Sequence, residues 1–329
     1  MKRRIQHQGK TSPKGAFTLV ELLVACATLS LLLVLMLKMV NQTSLIWRSA
    51  NTKIEVFQNA RRSFDVLTAL LSQATLNTYW GYDDASDPRK YIRKSELHCV
   101  VAPCGNGMPG RPESGNGVYF QAPANWVGNT AAYGHLTGLL NPCGFYVDYG
   151  SDAGWLPDPP IRTTARDRYR LMFWLQESDE SSIFFAADDT SDTTAWIAPQ
   201  TANTYPLADN IIALVIWPRD QNRSASWNSY SYNSRTGQDD TPQPVTANQL
   251  PPILEVAMVA IDENSALRLG EKLETTISDC LKDLFSSDPR ENFGQDLKTL
   301  EGRLAEKRIN YRVFSSSLPM REAKWSPGL

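Results

Sequence analysis

The chain has 329 residues, and its 33 basic and 35 acidic side chains give a formal net charge of -2. That length allows one large domain or two small ones. The near balance of charge gives no electrostatic basis for binding nucleic acid, so we expect no nucleic-acid partner.

A basic segment precedes a long apolar segment at the start of the chain. Residues 1–16 contain five Lys or Arg residues and no acid, and the run over 17–37 has Glu21 as its one charged residue. At about 1.5 Å per residue, that run can cross a hydrocarbon layer of about 30 Å. The basic excess before it predicts a cytoplasmic N-terminus and export of the chain beyond the run. We therefore predict a membrane-spanning helix over 17–40.

Glu21 is costly in such a helix, because a charged side chain in hydrocarbon costs roughly 2.5–3.5 kcal/mol. Lys14 lies outside the apolar segment and is no partner within it. Cleavage just before the apolar run would create a new α-ammonium group within a turn of Glu21. In a stack of parallel helices, Glu21 of one subunit could meet the amine of its neighbour. The sequence therefore predicts that Glu21 acts in assembly.

The stretch GAFTLVELLVA, residues 15–25, resembles the processing site of type IV prepilins and of type II secretion pseudopilins. The resemblance implies that a prepilin peptidase removes the leader and N-methylates the new first residue, and that Glu21 guides subunits into a filament. The family usually has Gly directly before Phe, whereas here Ala16 separates Gly15 from Phe17. We favour cleavage after Ala16, which makes Glu21 the fifth residue. Cleavage after Gly15 would make it the sixth.

A second processing signal overlaps the apolar segment. Residues 23–26, LVAC, fit a bacterial lipobox, in which Cys26 would carry a lipid. Glu21 would interrupt the apolar core of such a signal, and apolar residues continue after Cys26 where a lipoprotein has a polar tether. A membrane-anchored or lipidated periplasmic binding module, with tryptophan-rich loops contacting glycan, is therefore the alternative interpretation.

The helix is expected to continue past the membrane as an amphipathic helix over 41–77. No proline occurs between Lys14 and Asp87, so nothing forces a break. A separate anchor and amphipathic helix is the alternative. Apolar residues recur at three- and four-residue steps, which predicts one buried face. The members of this stripe are Ile54, Phe57, Ala60, Phe64, Leu67, Leu71 and Ala74.

The remaining residues, 78–329, are predicted to form one exported α+β domain. Helical patterns lie between the last two predicted strands, and 80–165 and 219–250 are interpreted as loop-rich insertions. The expected fold is a long N-terminal helix packed on an antiparallel sheet. The predicted strands are Gly117–Gln121, Leu139–Tyr149, Tyr169–Gln176, Ile211–Pro218, Ile253–Asp262 and Asn310–Ser315.

The order of these elements resembles that of the larger minor pseudopilins, in particular the J-type minor pseudopilin and the W-type pilus assembly protein. The ending INYRVFSSSLPMREAKWS is similar to the Verru_Chthon cassette protein C family of pilin-like proteins. The resemblance implies a pilin-like fold and a minor component of a type IV pilus or a type II secretion pseudopilus. It implies residence in the bacterial inner membrane before assembly. The implied partners are the prepilin peptidase, other pilin subunits and the assembly platform.

Four cysteines of the exported part are candidates for disulfides in an oxidising periplasm. The simplest pairing joins Cys99 to Cys104 across a tight loop and Cys143 to Cys280. The alternative is that these cysteines are free buried thiols. Metal binding is disfavoured because C-x4-C is not a usual zinc spacing.

The sequence has no motif of nucleophilic, metalloprotease or nucleotide-binding chemistry, so we predict that the chain is not an enzyme. We expect no cofactor. The acidic pairs at 83–84, 188–189 and 239–240 are weak calcium candidates without the spacing of a calcium loop, and solvated turns are favoured.

Overall fold

A computed structural model describes most of the chain, which divides into two compact units, Met1–Asn51 and Thr52–Leu329. For residues 48 and 49 it describes the backbone only. The described residues are 18–84, 86–105, 107–155, 165–181, 183, 194–197, 203–220, 229–240 and 242–323.

Helix α1, Leu19–Leu71, is the longest element, with 53 residues. Its continuity agrees with the absence of proline and is contrary to the alternative of two separate helices. It ends before the predicted residue 77, because the backbone N–H of Thr75 donates to the carbonyl of Gln121 at 3.0 Å instead of to a helical carbonyl. The chain after Leu71 has therefore begun to pair with the sheet.

In the second unit, α1 buries one face against the domain. Ala60, Phe64, Leu67 and Leu71 are each at most 3% exposed, as the apolar stripe predicts. Ile54, also assigned to the stripe, is 53% exposed, so the packed face begins later than expected.

All paired strands of the described sheets are antiparallel. The strands are β1 Tyr79–Tyr82, β2 Tyr91–Lys94, β3 Val100–Pro103, β4 Asn116–Pro123, β5 Leu140–Ser151, β6 Asp167–Leu175, β7 Thr204–Asp209, β8 Ile211–Arg219, β9 Tyr232–Asn233, β10 Ile253–Ile261 and β11 Tyr311–Pro319. They form a six-stranded sheet in the order β7-β6-β5-β4-β3-β9, a three-stranded sheet β11-β10-β8 and the hairpin β1-β2.

The core contains the inner faces of both larger sheets. β8 is buried along nearly its whole length, and so is most of β10, which explains why both strands read as almost continuous apolar runs. The further helices are α2 Thr130–Tyr133, α3 Glu263–Leu269, α4 Leu273–Leu281 and α5 Pro289–Glu306. The last three lie between β10 and β11 in the chain, where the sequence predicts a helical insertion. The α+β class, with a long helix and antiparallel sheets, is confirmed.

Candidate functional site

The first turn of α1 is closed by a reciprocal pair of side chains. Thr18 precedes the helix, and both its backbone N–H and its hydroxyl donate to Oε2 of Glu21 at 2.9 Å. The backbone N–H of Glu21 donates in return to the Thr18 hydroxyl at 3.3 Å. This is a capping box, in which an N-terminal Thr and a Glu three residues later satisfy backbone donors that the helix leaves open.

The capping box gives Glu21 a local role that does not depend on a second chain. A carboxylate in the first turn also interacts favourably with the positive end of the helix dipole. Prediction from the apolar run alone assigns Glu21 a role in assembly and misses Thr18. The spacing T-x-x-E over 18–21 is the signal that identifies the pair.

The cleavage region lies outside the described residues. Gly15, Ala16 and Phe17 all belong to it, so the cleavage register stays a prediction. Cys26 lies on α1 as an exposed free thiol.

The segment after Glu21 exposes its apolar side chains in all directions. Each large aliphatic or methionine side chain between Leu19 and Val40 is at least 50% exposed. Within the described part of the chain, α1 is the helix long and apolar enough to cross a membrane. An apolar surface on every side of a helix suits contact with lipid or with other apolar helices.

The hydroxyl groups of this segment bond to the helix itself. Thr28 donates to the carbonyl of Ala25 at 2.9 Å, Thr43 donates to that of Met39 at 2.8 Å, and Ser30 donates to that of Cys26. Such bonds are needed where no water is available to a polar group.

The predicted disulfides are absent from this structure, in which Cys99, Cys104, Cys143 and Cys280 are buried free thiols. Cys99 belongs to the core cluster beneath α1, whereas Cys104 belongs to the cluster on the other face of the six-stranded sheet. The alternation of side chains along the strand separates them, although the loop between them is short in sequence. Cys99 and Cys104 are therefore not bonded to each other in this structure, which has the free buried thiols of the alternative.

Cys143 and Cys280 are likewise unbonded. Cys143 lies on β5, whereas Cys280 lies on α4. Cys143 lies opposite Phe120 of β4, and Cys99 directly precedes β3 on the far side of β4. Cys99 and Cys143 are therefore two strand spacings apart, about 10 Å, which exceeds the Cα–Cα separation that a disulfide between them would need.

His98 is a hydrogen-bonded core residue rather than a metal ligand. Its side chain is fully buried; Nδ1 accepts a bond from Nε1 of Trp196 at 2.8 Å, and Nε2 lies 2.7 Å from Oδ1 of Asn233. Because Nδ1 accepts, the proton of the neutral ring is on Nε2, which donates to Asn233. Both ring nitrogens are thereby occupied.

The acidic pairs show no calcium geometry where they are described. Oδ1 of Asp83 accepts the backbone N–H groups of Arg89 at 2.9 Å and Lys90 at 3.1 Å, and these bonds lower the pKa of Asp83 to about 2. The pair at 239–240 lies in a turn, and the pair at 188–189 lies outside the described residues. Among the described residues, no group of three or more His, Cys, Asp or Glu is placed to hold a metal ion.

Comparisons with models of protein families, with characterised proteins and with solved structures gave no match.

Proposed function

We propose that the chain is a prepilin-like structural subunit that is cleaved after Ala16, N-methylated on Phe17 and assembled as a minor component of a type IV pilus or a type II secretion pseudopilus. The observation that supports it best is the unpartnered apolar surface of α1 after Thr18 and Glu21. Among the described residues of the first unit nothing covers this surface, which favours contact first with lipid and then with neighbouring helices.

In the proposed mechanism, α1 is held in the bacterial inner membrane until the assembly platform lifts it into a filament. Glu21 then lies near the new amine of a neighbouring subunit. Oε2 of Glu21 already accepts two bonds from Thr18, which orients the carboxylate while its charge stays available. Pairing offsets the cost of the charge among apolar helices.

Two substitutions separate the capping role from the charge-pairing role. Glu21→Gln keeps an acceptor for Thr18, because Gln also serves in a capping box, but it removes the charge. Thr18→Ala removes the cap, at about 1 kcal/mol, and keeps the charge. We measure the amount of the chain in filaments sheared from the native host. Glu21→Gln and Glu21→Ala should each lose most of this incorporation, whereas Thr18→Ala should retain most of it.

Membrane insertion and leader cleavage, followed by fractionation and by the change in mass, are the controls and should be largely preserved in all three variants. Normal incorporation of Glu21→Gln would contradict charge pairing. Equal loss in Glu21→Gln and Thr18→Ala would mean that the first turn, and not the charge, limits assembly.

A further inference from the structure

The hairpin β1-β2 carries three solvent-exposed aromatic rings on one face. In its register Trp80 lies opposite Arg93, and Tyr82 lies opposite Tyr91. Side chains two residues apart in a strand share a face, so these four form two adjacent rungs about 7 Å apart. Trp80 is 65% exposed, Tyr82 48% and Tyr91 64%. We call Trp80, Tyr82 and Tyr91 the aromatic platform.

The rings of the aromatic platform are held in place although they are exposed. Tyr82 and Tyr91 pack with ring centroids 4.7 Å apart, and their hydroxyls are hydrogen-bonded at 2.9 Å. The guanidinium carbon of Arg93 lies 5.8 Å from the Trp80 ring centroid.

Arg93 is itself held in place by hydrogen bonds to backbone carbonyls outside the hairpin. Its Nε donates to the carbonyl of Ala247 at 3.1 Å, and Nη2 donates to that of Pro244. A ligand that meets rings already ordered loses less conformational freedom on binding.

Charge on the hairpin favours an uncharged ligand. Residues 79–94 contain three acidic and four basic side chains, and Glu96, which accepts a hydrogen bond from the Tyr79 hydroxyl, brings the net charge to zero. At the tip, Arg89 pairs with Asp87, and the carboxylate of Asp84 accepts from Ser86. Neither a polyanion nor a polycation meets a complementary field here.

The size of the aromatic platform favours a small ligand over a protein partner. From their exposed fractions, the three rings present roughly 300–400 Å². A stable protein interface buries about 800 Å² on each partner. An extended neutral chain of pyranose rings fits better, because the C–H groups on the flat side of a sugar lie well on the electron-rich faces of aromatic rings.

We propose that the aromatic platform binds a neutral polysaccharide of β-linked pyranose sugars, with successive sugar rings stacked on Trp80 and on the Tyr82–Tyr91 pair. This inference uses the second unit alone and does not depend on filament assembly.

The test is isothermal titration calorimetry, which measures the affinity of the full chain for cellohexaose and chitohexaose. Both are soluble neutral chains of β-linked sugars. The protein is kept in a phosphocholine detergent, because detergents with sugar headgroups would compete. Trp80→Ala and Tyr91→Ala should each weaken binding about tenfold, the effect of losing one stacked ring. Trp80→Phe, which keeps a ring, should retain most of the affinity.

Trp155→Ala is the matched control, since Trp155 is 46% exposed but lies outside the aromatic platform. Unchanged binding in this control together with loss in Trp80→Ala supports the proposal. No binding of either sugar by the parent chain overturns it, and so does equal weakening in the control. Binding of anionic vesicles or single-stranded DNA through the same rings, without sugar binding, also overturns it.

Discussion

At the scale of single residues, Asn116 shows how one amide joins the two larger sheets. Its Nδ2 donates to the carbonyls of Ile216 and Tyr230, each at 2.7 Å, and its Oδ1 accepts the N–H of Ile216 at 2.7 Å. The residue before it, Gly115, has φ +103, and a Cβ there would lie 2.1 Å from the carbonyl oxygen of Leu214. A glycine is therefore required at this crossing.

The buried thiols give the prediction that belongs to this scale. Burial raises the pKa of Cys99 and of Cys104 to about 12, so both should resist alkylation by iodoacetamide at pH 8 until the chain is unfolded. The measurement is the intact mass of protein purified without reductant, after iodoacetamide treatment of the folded chain at pH 8 and after the same treatment in denaturant. In denaturant we expect alkylation of Cys99, Cys104, Cys143 and Cys280 in addition to the exposed Cys26. A mass lower by two hydrogens, together with two thiols that fail to react in denaturant, would show that a disulfide is present.

The same thiols predict sensitivity to alkaline pH. An unfolded thiol has a pKa of about 8.5, so above that pH the unfolded chain binds fewer protons than the folded chain. The free energy of unfolding should therefore fall as the pH rises from about 9 toward 12. Replacing Cys99 and Cys104 by Ala should reduce this slope in urea titrations. An unchanged slope would mean that the pH dependence comes from other groups, such as the buried tyrosines.

At the scale of elements, the packed face of α1 and its exposed face can be compared directly. Leu67→Ala should lower the free energy of unfolding by about 3 kcal/mol, because Leu67 is fully buried and the substitution leaves a cavity. Val66→Ala, at a neighbouring position that is 44% exposed, is the matched control and should cost less than about 1 kcal/mol. Urea unfolding of the full chain measures both. Similar costs would mean that this face of α1 contributes little packing.

The elements that could be predicted from sequence are those whose local pattern agrees with their burial. β8 and β10 are apolar runs buried in the core, and α1 has its apolar stripe. β1 and β2 were missed because they are short, exposed and close to a cluster of Gly, Pro and Asp. β7 was missed because it contains Pro206, which the sheet tolerates at an edge beside a register shift in β6.

The candidate site shows the same limit. Glu21 is conspicuous in sequence, since a charge in an apolar run has few explanations. The faces of Cys99 and Cys104 depend on strand register, which loop length alone does not reveal. Trp80 and Tyr91 are eleven residues apart in sequence and share one face of the hairpin only because of the register of β1 and β2.

At the scale of the whole molecule, the two units make different demands on their surroundings. The first exposes apolar side chains on every side between Leu19 and Val40, which is unfavourable in water. The second has a buried core built from α1, both larger sheets and α3–α5. A chain with these two parts is expected to need detergent or lipid for its first unit and to fold cooperatively in its second.

The central claim is that this chain is processed as a prepilin-like protein, and mass spectrometry of its N-terminal peptide from native membranes tests it most directly. We predict a chain that begins with N-methylated Phe17, which places Glu21 fifth. A chain that begins at Ala16 would contradict this register. An intact leader, or a lipid-bearing Cys26 as the first residue, would contradict the claim itself.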